Sequence, residues 1–533
     1  MERDAEKASI HGEGSTDSSP QTALDSPRAS LGRTRSQNGY GVDNEQPALA
    51  TKNAPAGGAK DEDPFEVGWD DGDKDPLCPR SFGKARKWLI TFILCFGSFT
   101  VTNTSSIYTS TYEQMEAEFH NARIISTLGL STFVLGISLG PMMLGPMSEF
   151  YGRRPIYLVT WLMFLIWLIP SAAAPNIATI VVTRFFCGFA GSAFLAVSGG
   201  TVGDLFARHE LQAPMAMYTA APFFGPTMGP LVGGFINYNI NWRWTYYVLI
   251  ITSFVLYIAI IFFVPETYHP ILLRNKARER RKATGDDRWK APTEKVSKSV
   301  LKALSMSLMR PFELLFFEPM CLNLCILSAL LLGILYLFFG AFPAVFGNVY
   351  GFNLWQIGLS FVGIGVGMLI GISSDPVWQR VRTGLVQKLE QETGIPGASE
   401  PEFRLPPAIL GAVCAPVGLF IFAWTCFPWV HWIAPMIGTV VFGVGILFVF
   451  AGIFTFLVDA YPTYAASALA ANAFVRCLFA AAFPLFGAQM YEKLGHHWAT
   501  SLLGFLLLLM MPFPYIFYKM GKKIRSTSRY AKS

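Results

Sequence analysis

Two arginines, Arg184 and Arg476, each stand in an apolar stretch (177–203 and 464–488) that holds no other charge. A guanidinium at the centre of a bilayer costs about 2.5–3.5 kcal/mol on insertion scales, so each should face a bundle interior or a wet cavity and have a task there. Asn472 stands one helical turn before Arg476 and shares its face. The pair suits an anionic or hydrogen-bonding solute, with Asn472 orienting it. The competing reading is that each arginine binds backbone carbonyls at a kink. Nucleophilic, metal or acid–base enzyme chemistry finds no equivalent constellation. The eight cysteines sit almost wholly in apolar runs without metal-ligand spacing, which makes them packing residues. No catalytic residue, metal site or cofactor is expected.

The elements that must position these arginines are membrane spans. The chain has 533 residues, of which 52% are hydrophobic and only 15% charged, well below the quarter or so usual in soluble proteins. Twelve apolar runs follow one another, at 88–110, 124–147, 155–174, 177–203, 214–236, 244–264, 319–342, 354–374, 406–427, 431–456, 464–488 and 498–518. Each is near the ~20 residues that a bilayer crossing needs. Residues 1–75 are polar and without apolar periodicity, and read as a disordered tail. The segment 265–318 carries Arg274, Lys276, Arg278, Arg280, Arg281 and Lys282 within nine residues and reads as a basic cytoplasmic linker. It separates two six-helix bundles, 76–264 and 319–518, and a tail, 519–533, completes the chain. The positive-inside rule puts both termini in the cytoplasm, and explains the net charge of +6 without nucleic acid. The expected fold is therefore all-α, with twelve transmembrane helices in two pseudo-symmetric six-helix bundles, the layout of a transporter.

The fifth run, Tyr218 to Ile236, is built unlike the others. Gly225, Gly229 and Gly233 repeat at four-residue spacing, Gly234 follows, and Pro226 and Pro230 each remove a backbone donor. Small residues at that spacing leave a groove in which a second helix backbone can lie, and the prolines are tolerated where neighbouring helices satisfy the freed carbonyls. This run is expected to be packed against and to pivot.

Charged clusters recur at equivalent ends of equivalent spans. Gly145 to Pro155, GPMSEFYGRRP, follows the second span, and Gly371 to Arg380, GISSDPVWQR, follows the eighth; Asp204 ends the fourth span as Asp459 ends the tenth. Glu149, Arg153, Arg154, Asp204, Asp375 and Asp459 thus predict an acid-to-arginine latch on the cytoplasmic side, holding the halves together in one conformation and parting in another. The competing reading is a plain interfacial turn with positive-inside anchors.

GPMSEFYGRRP resembles the first loop motif of the major facilitator superfamily, with Glu149 where that motif usually has Asp. Arg184 with FFCGFAGSA resembles its fourth-helix motif, and Gly225 to Gly234 its exporter-type fifth-helix motif. Val264 to Ala277, Pro401 to Ile409 and Leu457 to Gly487 look like fungal members of the twelve-span drug:proton antiporter family, the likeness running over roughly 75–520. The resemblance implies a central cavity, alternating access driven by a proton gradient, usually for efflux, and a part for Arg184 in proton handling. No Asp or Glu lies mid-span, and the seven histidines lie outside span centres, so the proton step falls to an acid at an inner helix end, Asp204 first, with a rearrangement of Arg184. Cavity candidates are Asn103, Tyr108, Phe133, Tyr218, Tyr336, Phe339, Asn472 and Arg476; aromatic walls with few fixed charges suit amphipathic organic molecules. The expected protein is a monomeric multi-pass carrier of the plasma membrane that exports small organic compounds in exchange for protons, with the lipid bilayer as its other partner. A dedicated metabolite or nutrient carrier of the same fold is the alternative.

Overall fold

The computed structural model describes residues 65 to 531 apart from 71–73, 208–209, 296–299, 396–398, 463, 527 and 529. The first half is built from α1 (Lys84–Ile107), α2 (Arg123–Tyr151), α3 (Arg153–Ala172), α4 (Ile177–Leu205), α5 (Gln212–Asn239) and α6 (Arg243–Phe263). Two further helices follow, α7 (His269–Thr284) and α8 (Val300–Phe317). The second half opens with α9 (Pro319–Phe342), α10 (Leu354–Thr393), α11 (Pro406–Thr425) and α12 (Ile433–Ala460). The helical stretch Ala465–Met510 breaks at Gly495, whose φ is +75°, into α13 before it and α14 after it, and α14 continues as Pro512–Ser526. Among the described residues, ten stretches are long and apolar enough to cross a bilayer. One of them, Ala465–Ser526, holds both α13 and α14, while α5 falls short because glycine, proline and threonine dilute its hydropathy. With those two helices recognised, the twelve expected spans are all present.

Local signals fix where these helices start and stop. Asn176 caps α4 by accepting the Thr179 amide at 2.9 Å, and Asn353 with Gln356 forms a reciprocal capping box that opens α10. Gly152, at φ +100°, turns the chain between α2 and α3 where a residue with a side chain would be strained. Arg153, the linker and the end of α14 share one side of the molecule, called here the basic face; Glu113, Glu116 and Glu118 lie on the opposite, far face.

One expectation needs correction. The polar stretch 1–75 reads as a disordered tail, yet its end is docked on the linker. Val67 is fully buried, its amide donates to the Lys290 carbonyl at 3.0 Å, and the Lys290 amide donates to the Phe65 carbonyl at 3.0 Å. The buried Lys276 ammonium lies 2.6 Å from Asp75 and 2.9 Å from Asp70, and Phe65 and Trp69 set their ring edges against Trp289 and His269. Three apolar residues at alternating positions and two acids opposite a basic helix suffice for docking, although they are too few to register as periodicity. Residues 1–64 of that stretch lie outside the described residues.

The halves meet along two seams. Ser131 and Ser138 of α2 donate to the carbonyls of Ala481 (2.6 Å) and Phe474 (3.2 Å) in α13. At the second seam α5 meets α10 near the far face, where Gly234 faces the Leu354 backbone, Gly358 faces the Pro230 carbonyl, and Phe235 stacks on Trp355. Between the seams the Tyr336 hydroxyl meets the Ser105 hydroxyl at 2.8 Å, joining α1 to α9.

Candidate functional site

The glycines of α5 are used on two sides. A Cβ on Gly225 would meet Thr102 and Asn103 of α1, one on Gly229 would lie 2.6 Å from the Ile107 amide nitrogen, and one on Gly233 2.9 Å from the Ile107 carbonyl. The Ser106 hydroxyl donates to the Gly225 carbonyl at 3.0 Å, filling the groove and satisfying a carbonyl in a helix interrupted by Pro222, Pro226 and Pro230. Gly234 points the other way, across to α10. The same short segment therefore packs one half and closes it against the other.

At the basic face the predicted charges come together, but within each half. Arg153 is buried, with Nε 3.4 Å from Asp204 Oδ2, Nη1 donating to Ser148 Oγ at 2.6 Å, and the guanidinium over the Tyr268 ring. Glu149, half-buried, follows Ser148 near the end of α2. Glu266 accepts the backbone amides of Arg153 (2.9 Å) and Arg154 (3.1 Å), while the Arg154 side chain donates to the Ile261 carbonyl. In the second half Asp459 pairs with Arg404 at 2.7 Å, and Asp375 accepts from Gln379 at 2.5 Å. The latch expected between the halves is thus corrected: each acid–arginine pair ties neighbouring helix ends of one half, because α4 ends beside the start of α3 and α12 ends beside the start of α11.

Arg404 and Glu266 were missed from sequence. The signal for Arg404 was present: Arg153 and Arg404 both stand two residues before a proline, Pro155 and Pro406, at the start of the helix that follows. The internal repeat therefore matches Arg153–Asp204 with Arg404–Asp459.

Arg184 is buried, and three backbone carbonyls receive its guanidinium: Gly129 at 2.8 Å, Thr104 at 3.2 Å and Ser105 at 3.1 Å. Tyr108 and Phe133 sandwich it at 4.0 and 4.7 Å, and the Tyr108 hydroxyl is engaged with the Ser126 carbonyl at 2.9 Å. The carbonyl-binding alternative is the one realised, and these two aromatics hold an arginine instead of lining a cavity.

A cleft of about 660 Å³ lies between the halves and reaches inward from the basic face. Its walls are Phe92, Phe96 and Phe99 of α1, the stretch of α5 from Ala213 to Phe224, and Ile372 to Pro376 of α10. Of the site residues expected from sequence, Asp375 alone lines it. Tyr218 donates to the Leu195 carbonyl at 2.6 Å, and the buried Tyr336 and Phe339 pack edge to face within the inter-half contact. Hydropathy fixed which segments span, not which way their aromatics turn.

Arg476 is half-buried and faces three phenylalanines, Phe223 of α5 and Phe450 and Phe454 of α12, at 5.9, 5.3 and 5.0 Å from the ring centroids. Phe223 and Phe450 stack on each other across the halves at 4.9 Å. Asn472, one turn away, donates to Ser328 of α9 at 2.6 Å. Asn472 and Asn103 each keep a buried Oδ1 that accepts no hydrogen bond among the described residues.

Comparison with known proteins agrees with this architecture. The profile of the Major Facilitator Superfamily matches residues 94–484. Efflux pump atB of Aspergillus terreus is 53% identical over 460 residues, covering 86% of this chain and 89% of that one. A probable drug/proton antiporter of Saccharomyces cerevisiae, YHK8, is 41% identical and covers 85% and 87%, and the multidrug transporter mdrA of Aspergillus fumigatus is 41% identical and covers 89% and 77%. Among solved structures, the partially occluded inward-open xylose transporter XylE of E. coli superposes with a TM-score of 0.55 at 16% identity, over 81% of this chain and 99% of its own. The human organic anion transporter MFSD10 gives 0.54 at 15%, over 80% and 99%. Both structural likenesses speak to the fold alone.

Proposed function

The chain belongs to the major facilitator superfamily, and from that premise we propose that it exports small organic compounds in exchange for protons by alternating access. The observation that carries the reading is the asymmetry of the inter-half surface. Close packing at α5–α10 and the Tyr336–Ser105 contact shut the far side, while an aromatic cleft is open to the basic face. A compound enters from the basic side, and rocking of the halves exposes it to the far side.

The cleft favours amphipathic organic molecules, because its walls are mainly phenylalanine and alanine, completed by Cys95, Met217, Ile372 and Pro376, with Asp375 as the one charged group. Arg476, Asn103 and Asn472 lie outside the cleft walls; as the halves rock, Arg476 is the contact for an anionic group and the two amide oxygens are acceptors for hydroxyl or amine donors. Arg153–Asp204 and Arg404–Asp459 are matching fasteners, one inside each half, broken and remade as helix ends shift. Asp204 and Arg153 form a buried pair where two helix ends meet, so the part of Asp204 is that of a latch acid coupled to proton movement through the ion pair. Arg184 positions α1, α2 and α4 around itself. The carrier works as a monomer in the plasma membrane with the basic face, and both termini, in the cytoplasm.

The test is transport of labelled drugs, organic acids and polyamines by the full chain in proteoliposomes, with and without an imposed pH gradient. Gradient-dependent movement of several unrelated compounds supports polyspecific antiport. Movement of a single compound, or indifference to the gradient, makes this a dedicated carrier or facilitator.

A further inference from the structure

Four carboxylates are buried among the described residues: Asp75, Asp204, Glu318 and Glu402. Three of them meet a cation, namely Lys276, Arg153 and Arg525. Glu318 meets none within ion-pair distance among the described residues. Its carboxylate accepts instead from two hydroxyls, Tyr461 at 3.2 Å and Ser528 at 2.5 Å. We propose that Glu318 is a proton-accepting carboxylate of the second half, and that its protonation state is read out through the C-terminal tail. This rests on the proton-coupled reading above and adds a site to it.

The partners carry the argument. A guanidinium or ammonium can only donate, so it stabilises the ionised acid and resists its protonation. A hydroxyl can donate to a carboxylate or accept from a carboxylic acid, so the pocket around Glu318 can satisfy either form. Loading moves one proton from water at the basic face onto a carboxylate oxygen. An O–H bond forms, the local charge rises from −1 to zero, and one hydroxyl turns from donor to acceptor. Ser528 belongs to the tail, so that turn alters how the tail is held.

Among the described residues, the surrounding charged and titratable groups have these partners. On its own helix the nearest titratable groups are the thiols of Cys321 and Cys325, 3.9 Å apart. At the end of α12, Asp459 is engaged with Arg404. From α14, Arg525 grips Glu402 at 2.8 Å while its carbonyl accepts the Ser528 amide. On α8, Arg310 stands over the Tyr464 ring, which Tyr530 of the tail meets edge to face, and Glu313 is partly buried. Position supports the role as well, since Glu318 directly precedes α9, the helix that touches α1 across the halves through Tyr336.

The experiment compares wild type, Glu318→Gln and Glu318→Asp in proteoliposomes, measuring uptake driven by a pH gradient and, separately, substrate exchange without one. Gln mimics the protonated acid and cannot release a proton. Glu318→Gln should lose the stimulation by the gradient yet keep exchange, and Glu318→Asp should regain the stimulation. Tryptic cleavage after Arg525 should differ between wild type and Glu318→Gln at one fixed pH, with Glu318→Asp matching wild type. Full gradient stimulation in Glu318→Gln overturns the proposal, as does loss of exchange in both variants, which would make the residue structural. A wild type indifferent to the gradient refutes proton coupling itself, a separate result.

Discussion

Adding one methyl group at Gly358 should push the far side of the carrier open. Gly358 in α10 faces the backbone of α5 across the halves, and a Cβ there would lie 3.1 Å from the Pro230 carbonyl carbon and 3.2 Å from Leu231 Cα, and closer still to the Pro230 oxygen. These are backbone atoms, which cannot swing aside as a side chain can. Overpacking of this kind costs about 1–3 kcal/mol. Because α5 and α10 belong to different halves, the cost falls on the state in which the far side is shut and is relieved when it opens. The equilibrium should therefore move about 5–150-fold toward the far-open state. The assay is the distance distribution between spin labels on cysteines introduced at Asn239 and Asn353, at the far ends of α5 and α10; the native cysteines other than the half-buried Cys414 are buried. Gly358→Ala should add a longer-distance population and lower turnover. Distances and turnover equal to those of the parent would refute the claim that this contact is a gate.

Gly229→Leu should behave differently, because its Cβ would meet α1 of the same half; transport should be lost and thermal stability lowered while insertion and the label distances stay unchanged. Removing Arg184 leaves the carbonyls of Gly129, Thr104 and Ser105 without their donor, so Arg184→Ala should destabilise by about 2–4 kcal/mol in a thermal-shift assay, with Arg184→Lys recovering only part. Arg476→Ala should weaken transport of carboxylate-bearing compounds about 10–100-fold and of neutral ones far less, measured as competition in proteoliposomes; equal losses would make Arg476 structural. The Lys276 ammonium holds Asp75 below the usual carboxylate range. The attachment it supports is present at neutral pH and lost as acidification protonates the docked acid, so hydrogen exchange at the Val67 amide should stay slow at neutral pH and quicken only in strong acid.

The spans were legible because hydropathy over about twenty residues is a strong signal, and the α5 groove because glycine at four-residue spacing has one geometric meaning on a helix. The direction in which single side chains turn was less legible. Tyr108 and Phe133 looked like cavity walls by residue type and prove to sandwich Arg184, while Phe92, Phe96 and Phe99, which do line the cleft, look in sequence like any lipid-facing aromatics. Asp459 was found and its partner Arg404 was not, since the pairing follows from where a loop returns, although the shared arginine-to-proline spacing marked the place. The docked Phe65–Asp70 segment escaped because a few alternating apolar residues beside acids do not rise above the background of a polar tail.

Each half is tied off where it begins and ends. Val67, ahead of α1, is bonded to Lys290, beyond α6, and Glu318, at the head of α9, is bonded to Ser528, beyond α14. Each bundle is thus a closed ring of chain, with entry and exit at one spot on one face. Each bundle therefore meets the rest of the chain at a single place, as a unit with its own core does.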